Sequence, residues 1–148
     1  LISTYGYCCD ISRTWLVGEA KPTEAQKTLY RDAYEHVMTN IALIKPGMSF
    51  AQVTKEAHRL PEKYRALRYG VLAHGIGLCD EYPSIRYPED VEEHGYGGTV
   101  EVGMTLCVEA YTGEVGGKEG VKLEEQVVVT DEGCVPLSSA PYEDEFLN

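Results

Sequence analysis

One histidine and four acidic residues occupy positions where their side chains could do chemistry together. His74 lies among glycines in LAHGIGL, and Asp10 lies in the β-rich segment YGYCCDISRTW. Glu109 interrupts the apolar run MTLCVEAY, and Glu124 and Glu125 interrupt VKLEEQVVVT. A buried carboxylate must be paired, hydrogen-bonded or metal-bound, because an unpaired buried charge is too costly. The alternative is that each acid faces solvent from an alternating strand.

Carboxylates and one imidazole form a ligand set for hard or borderline divalent ions, and carboxylate bridges can hold two such ions close together. These ligand types leave Fe, Mn, Co and Zn open. His74 could instead be a hydrogen-bonded core histidine. The other histidines, His36 and His58 on predicted helices and His94 in an acidic loop, are expected on solvated faces.

The elements that must position these residues follow from the sequence pattern. Thr23 with Gln26 and Ser49 with Gln52 each fit a capping box, which predicts one helix from Thr23 to about residue 44 and a second from Ser49 to about residue 61. The order of β-hairpin, two helices and strands predicts an α+β fold with a mostly antiparallel sheet. Strands are predicted within residues 1–17, 70–76, 104–110 and 121–130, with a long loop over residues 80–98 and a turn at 131–133.

The composition limits the class of protein. The 148 residues carry 24 acidic and 13 basic side chains, and a net charge of −11 argues against a nucleic acid or an anionic membrane as partner. No apolar run approaches the roughly 18 residues of a membrane span, and no signal peptide is evident. The five cysteines are odd in number and form no C-x-x-C pair, so reduced thiols and a cytoplasmic location are expected.

Four segments resemble the ligand segments of the pita-bread metalloenzymes, the family of methionine aminopeptidase, prolidase, Xaa-Pro aminopeptidase and creatinase: YGYCCDISRTW, LAHGIGL, LCVEAYTG and GVKLEEQVVVTDEG. The resemblance implies a pita-bread fold, with a curved sheet and flanking helices, and two divalent ions held by two Asp, one His and two Glu. It assigns metal ligation to Asp10, His74, Glu109 and Glu124, with Asp10 and Glu124 bridging the ions. Since neighbours on a strand face opposite sides, Glu125 should point away.

The first Asp of that family pattern would precede Leu1. Residues 1–148 are therefore expected to form the C-terminal part of one pita-bread catalytic domain, with the N-terminal domain and the first metal-ligand Asp outside this sequence. The resemblance also implies a homodimer when the protein is full length.

RYGVLAHGIGLCDEYP and EGVKLEEQVVVT are most similar to one branch of this family, the metal-dependent dimethylsulfoniopropionate lyases. Where peptidases of the fold carry a His-Glu pair after the ligand His, this chain has Asp80 followed by Glu81. The branch implies a small zwitterionic substrate, iron as the metal, and release of dimethyl sulfide with acrylate left behind. Asp80 is predicted to be the base, and the rings of Tyr69, Tyr82 and Tyr87 are predicted to face the sulfonium cation.

Other interpretations remain open at this point. The chain could be a hydrolase similar to prolidase or Xaa-Pro aminopeptidase, acting on Xaa-Pro peptides. It could also be a pita-bread domain that binds without catalysis. Asp80 could merely cap its loop or pair with Arg86, and the tyrosines could be ordinary packing residues.

Overall fold

A curled antiparallel sheet of five strands forms the centre of the computed structural model, which describes residues 2–148. A separate two-stranded hairpin precedes it. The hairpin strands are β1 (Ile2–Thr4) and β2 (Tyr7–Cys9). The sheet strands are β3 (Ala73–Ile76), β4 (Asp80–Ile85), β5 (Thr105–Gly113), β6 (Gly120–Thr130) and β7 (Gly133–Pro136), in the spatial order β4-β3-β5-β6-β7.

Four α-helices accompany these strands in the described chain: α1 (Glu24–Leu43), α2 (Phe50–Glu56), α3 (Val91–His94) and α4 (Asp144–Leu147). Short 3-10 turns lie at Glu62–Tyr64 and Pro88–Asp90. Both predicted capping boxes are present at the starts of α1 and α2. None of these helices combines the length and apolarity that crossing a bilayer requires.

The hydrophobic core lies between α1 and one face of the sheet. Alternate residues of β5, Leu106, Val108 and Ala110, are fully buried in this core. Because side chains alternate along a strand, Cys107 and Glu109 must face the other side of the sheet. The sheet therefore has one apolar face against α1 and one face that carries polar side chains. The predicted α+β fold with an antiparallel sheet is confirmed.

Several element boundaries differ from the sequence prediction. The predicted loop over residues 80–98 contains β4, which pairs with β3 because Gly75 lacks a side chain: a Cβ there would stand 2.1 Å from the Tyr82 carbonyl oxygen. The second helix ends at Glu56, short of residue 61. Within residues 2–17 the only strands are those of the hairpin, although Ser12 forms an isolated bridge with Glu124. The short elements β7, α3 and α4 were not predicted.

Candidate metal centre

Three neighbouring strands of the sheet bring His74, Glu109 and Glu124 together. His74 lies on β3, Glu109 on β5 and Glu124 on β6, and their exposures are 1%, 0% and 0%. His74 Nε2 is 3.3 Å from Glu109 Oε1 and 3.4 Å from Glu124 Oε1. Residues that lie 15 or more positions apart in the sequence thus place an imidazole nitrogen and two carboxylates around one point.

Asp10 approaches the same face from the segment just after β2 and is half-buried. Its backbone N–H donates to Gln126 Oε1 at 3.3 Å, and its carbonyl accepts from Cys107 Sγ at 3.5 Å. Burial raises the pKa of the Cys107 thiol, and the negative charges of Glu124 and Asp10 raise it further. Asp10 is therefore an electrostatic neighbour of the cluster, although it follows a strand rather than lying within one.

Glu125 lies on the opposite face of β6 from Glu124, as strand alternation predicts. Its Oε2 accepts from Arg13 Nη2 at 2.6 Å and from Tyr142 Oη at 3.4 Å. Glu124 thus belongs to the carboxylate cluster on one face of β6, and Glu125 forms a buried ion pair on the other face.

Three residues of the cluster were not singled out in the sequence. Lys122 Nζ lies 2.9 Å from Glu109 Oε2 and 3.7 Å from Glu124 Oε2, and Ser12 Oγ donates to Glu124 Oε2 at 2.7 Å. Cys107 faces His74 across β3 and β5 as its register partner. Lys122 and Cys107 each precede a cluster glutamate by two positions, and this spacing places both on the same strand face as that glutamate.

The charges in the cluster offset one another. Burial lowers the pKa of His74, but the contacts with Glu109 and Glu124 outweigh it and raise the pKa to about 10. Burial raises the pKa of Glu109 above its ordinary value, against the opposing contact with His74. Glu124 is also buried, but His74 and Ser12 hold its pKa below the ordinary value. A protonated imidazole and the Lys122 ammonium thus neutralise two buried carboxylates.

The donor atoms fit a divalent cation. Within the described chain, both carboxylate oxygens of Glu109 and Oε1 of Glu124 are buried without a hydrogen bond, and the His74 and Lys122 nitrogens contact them as ion-pair partners. Ligand atoms of His74, Cys107 and Glu124 all lie within 4.8 Å of one another. Imidazole, thiol and carboxylate donors together suit a borderline transition-metal ion.

Two of the residues predicted to face substrate lie near this cluster or at its edge. Tyr69 is half-buried, with Lys122 Nζ 4.3 Å from its ring centre, and its hydroxyl donates to Glu81 Oε1 at 2.6 Å. Asp80 is exposed at the start of β4, where it is the register partner of Ile76. Tyr69 is thus joined to the carboxylates through Lys122. Asp80 is exposed on β4, opposite Ile76, which lies two positions beyond His74 on β3.

Two other tyrosines have different surroundings. Tyr82 is 65% exposed, and its ring stacks on Tyr96 with 5.9 Å between ring centres. Tyr87 is buried, and its hydroxyl is 3.3 Å from His36 Nε2. The prediction that Tyr87 faces a substrate cation is wrong, because its ring packs between His36 and the guanidinium of Arg68.

The expectation of solvated histidines holds only for His94, which is exposed. His36 is fully buried on α1, with Nε2 3.1 Å from Asn40 Nδ2 and Nδ1 3.4 Å from His58 Nδ1. It lies on the buried side of α1, which also includes Val37. The side of the helix that packs into the core thus includes a polar residue. His58 follows the end of α2 and is half-buried.

Comparison with known proteins adds three findings. The model of metallopeptidase family M24 matches residues 2–131. A dimethylsulfoniopropionate lyase of Roseovarius nubinhibens is 45% identical over 143 residues, and one of Roseobacter denitrificans is 40% identical; each match covers 97% of this chain and 32% of the relative. The solved Xaa-Pro dipeptidase from Bacillus anthracis superposes with a TM-score of 0.75 at 28% identity, over 93% of this chain and 37% of that one. The chain thus spans about a third of the length of these curated relatives.

Proposed function

Because this chain belongs to metallopeptidase family M24, we propose that it forms part of a metal-dependent lyase that cleaves dimethylsulfoniopropionate to dimethyl sulfide and acrylate. The observation that carries this proposal is the level of identity: 45% to a lyase, against 28% to a superposed Xaa-Pro dipeptidase. The pita-bread fold itself is common to both activities and does not choose between them.

In this proposal, Asp10, His74, Glu109 and Glu124 hold two divalent ions, with iron as the metal. The buried carboxylate oxygens of Glu109 and Glu124 that lack hydrogen bonds support metal ligation by these two residues. Bound there, the metal would supply Lewis-acid activation of the substrate carboxylate. A carboxylate so bound makes the adjacent C–H more acidic, which is what an elimination requires.

Asp80 is the proposed base. Its carboxylate takes the proton from the carbon next to the substrate carboxylate, and the electron pair of that C–H bond forms the new C=C bond. The C–S bond breaks as this bond forms, and its electrons leave with neutral dimethyl sulfide. The products are acrylate, dimethyl sulfide and a protonated Asp80, which returns its proton to solvent from its exposed position.

Tyr69 and Tyr82 are the proposed substrate-binding residues. A sulfonium cation is attracted to the face of an aromatic ring within about 6 Å, and more strongly where water is excluded. The Tyr69 ring already lies beside the Lys122 ammonium, at 4.3 Å. Tyr82 offers an exposed ring that Tyr96 holds in place by stacking.

An assay of two substrates tests the proposal. The whole protein of which these residues form part, reconstituted with Fe²⁺, is incubated with dimethylsulfoniopropionate and, separately, with an Xaa-Pro dipeptide, with the His74→Ala variant as the inactive control. Dimethyl sulfide in the headspace, with no proline released, is the expected result. Proline release without dimethyl sulfide would contradict the lyase proposal and support the hydrolase.

An Xaa-Pro hydrolase is the second candidate, and the superposition on the Bacillus anthracis dipeptidase favours it. If the domain binds without catalysis, neither dimethyl sulfide nor proline should form, although the protein should still bind metal. The homodimer of the whole protein stays a prediction, which sedimentation of that protein tests.

A further inference from the structure

Cys107 is the one thiol of the described chain that lies inside the carboxylate cluster. It is fully buried, yet it faces away from the apolar core, because its neighbours Leu106 and Val108 occupy that core. Its register partners are His74 on β3 and Gln126 on β6. Buried cysteines often pack as small apolar residues, but His74 and Glu124 give this thiol two neighbours that can also bind a metal.

We propose that Cys107 is a sulfur ligand of the metal centre, beside His74 and Glu124, and that it directs the centre towards thiophilic divalent ions. This inference rests on the metal-binding part of the proposed function and is independent of the lyase reaction. Thiolate donors favour Fe²⁺, the metal of the proposed function, and Zn²⁺ over hard ions such as Mg²⁺ and Mn²⁺. The sulfur thus provides a means of selection that a set of carboxylates and one imidazole lacks.

The distances are compatible with ligation. Metal–nitrogen, metal–oxygen and metal–sulfur bonds of about 2.0 to 2.3 Å place the ligand atoms of a tetrahedral ion about 3.5 Å apart. The corresponding atoms of His74, Cys107 and Glu124 lie within 4.8 Å of one another without a metal, so they need to close by little more than about 1 Å. Cys107 Sγ makes weak contacts with the Asp10 carbonyl, at 3.5 Å, and with the Glu124 carboxylate.

The buried carboxylate oxygens of the cluster provide further support. Oε1 of Glu124 and both carboxylate oxygens of Glu109 are buried without hydrogen bonds in the described chain. Such groups are costly unless cations neutralise them, as His74 and Lys122 do in the metal-free chain and a bound metal would do in their place. On binding, the thiol loses its proton to solvent and the sulfur donates an electron pair to the metal; no oxidation state changes.

Cobalt spectroscopy tests the assignment. The exposed or half-buried thiols Cys8, Cys9 and Cys79 are first replaced by Ser, so that surface cysteines do not bind the probe. Titration of this protein with Co²⁺ should produce a sulfur-to-cobalt charge-transfer band in the near ultraviolet. Adding Cys107→Ser should abolish the band and weaken Zn²⁺ binding at least tenfold, while Mn²⁺ binding changes little.

Cys134→Ser is the matched control. Cys134 is half-buried and, like Cys107, donates to a carbonyl, that of Ile44 at 3.6 Å, but it lies on β7. This variant should keep the band.

X-ray absorption of the zinc-loaded protein that retains Cys107 provides a measurement that does not depend on the folding of the Cys107 variant. A sulfur neighbour at about 2.3 Å is expected. Bound metal without a charge-transfer band and without that sulfur shell overturns the inference and leaves the metal centre standing. Failure of the protein to bind cobalt or zinc overturns both. A sulfur-ligated metal in a protein that releases no dimethyl sulfide supports the inference and contradicts only the lyase.

Discussion

Glu109 on β5 lies directly opposite Glu124 on β6, and both side chains are fully buried. Like charges opposite each other destabilise a sheet, and burial increases the cost. The contacts of Glu109 and Glu124 with His74 and Lys122 offset it in the metal-free chain. A pair of strands that requires cations between its side chains is well suited to hold a metal.

Lys122→Met should destabilise the metal-free chain, because it removes the ammonium that lies 2.9 Å from Glu109 Oε2. The side chain of Lys122 is one-third exposed, so the loss should be about 2 kcal/mol, below that of a wholly buried pair. Added Zn²⁺ should raise the unfolding midpoint more for this variant than for the native chain, since the bound metal then neutralises the Glu109 and Glu124 carboxylates. Urea unfolding with and without zinc measures both quantities. Equal zinc effects in the two proteins would contradict this role of Lys122.

Glu109→Gln and Glu124→Gln should each weaken metal binding at least tenfold, because each removes an anionic ligand from a site with few alternatives. Glu125→Gln is the matched control on the same strand. It should bind metal normally but lose about 2 kcal/mol of unfolding free energy, since it weakens the buried pair with Arg13. Calorimetric titration with Zn²⁺ and urea unfolding separate the two effects. Similar metal affinities for Glu124→Gln and Glu125→Gln would refute the assignment of metal ligation to Glu124 rather than to Glu125.

The sequence allowed the strands that carry His74, Glu109 and Glu124 to be predicted, because acids within apolar runs and strand alternation are local signals. It also allowed Glu125 to be placed on the other face. The contribution of Lys122 was missed, because a lysine at the start of a strand usually faces solvent and only the register of β5 with β6 reveals its partner.

The surroundings of two residues were predicted wrongly for the same reason. Tyr87 and His36 were predicted to be accessible, yet each is buried against the other. Their contact joins residues 51 positions apart, and no local pattern encodes it. The strand β4 was predicted as a loop because its Pro83 and acidic residues disfavour strands, whereas pairing with β3 overrides this local preference.

His36 should make the chain less stable in mild acid. Burial, together with the facing His58, lowers the pKa of His36 to about 3, below the value of about 6.5 in an unfolded chain. Between these values the unfolded state binds a proton that the folded state does not, so stability falls as the pH drops below about 6.5, by up to about 1.4 kcal/mol per pH unit. Tyr87 and Asn40 contact the same ring and carry no charge that would offset protonation.

Unfolding free energies between about pH 4.5 and 6.5, for the native chain and His36→Gln, measure this contribution. The variant should have a smaller slope. His94→Gln, at an exposed position, is the control and should keep the native slope. Equal slopes for the native chain and His36→Gln would contradict the assignment.

Asp80→Asn tests the proposed base. Asparagine keeps the size of the side chain at the exposed start of β4 and removes its basicity, so folding and metal content should be unchanged. Turnover of dimethylsulfoniopropionate should fall about a hundredfold or more, the usual loss when a general base is removed. Metal content of each preparation is measured beside dimethyl sulfide release, and Glu93→Gln, in exposed α3, serves as the matched carboxylate control.

The structure already bears on one alternative for Asp80. Arg86, its suggested ion-pair partner, directs Nη1 to the Gly70 carbonyl at 3.2 Å. His74 faces Glu109 and Glu124 inside the cluster, and a metal-bound imidazole has no free electron pair on its ligating nitrogen to accept a proton. In the proposed lyase another residue would therefore act as the base, and Asp80, exposed at the start of β4, is the one proposed. Near-normal dimethyl sulfide release by metal-loaded Asp80→Asn would exclude it and leave Glu81, hydrogen-bonded to Tyr69, as the next carboxylate to test.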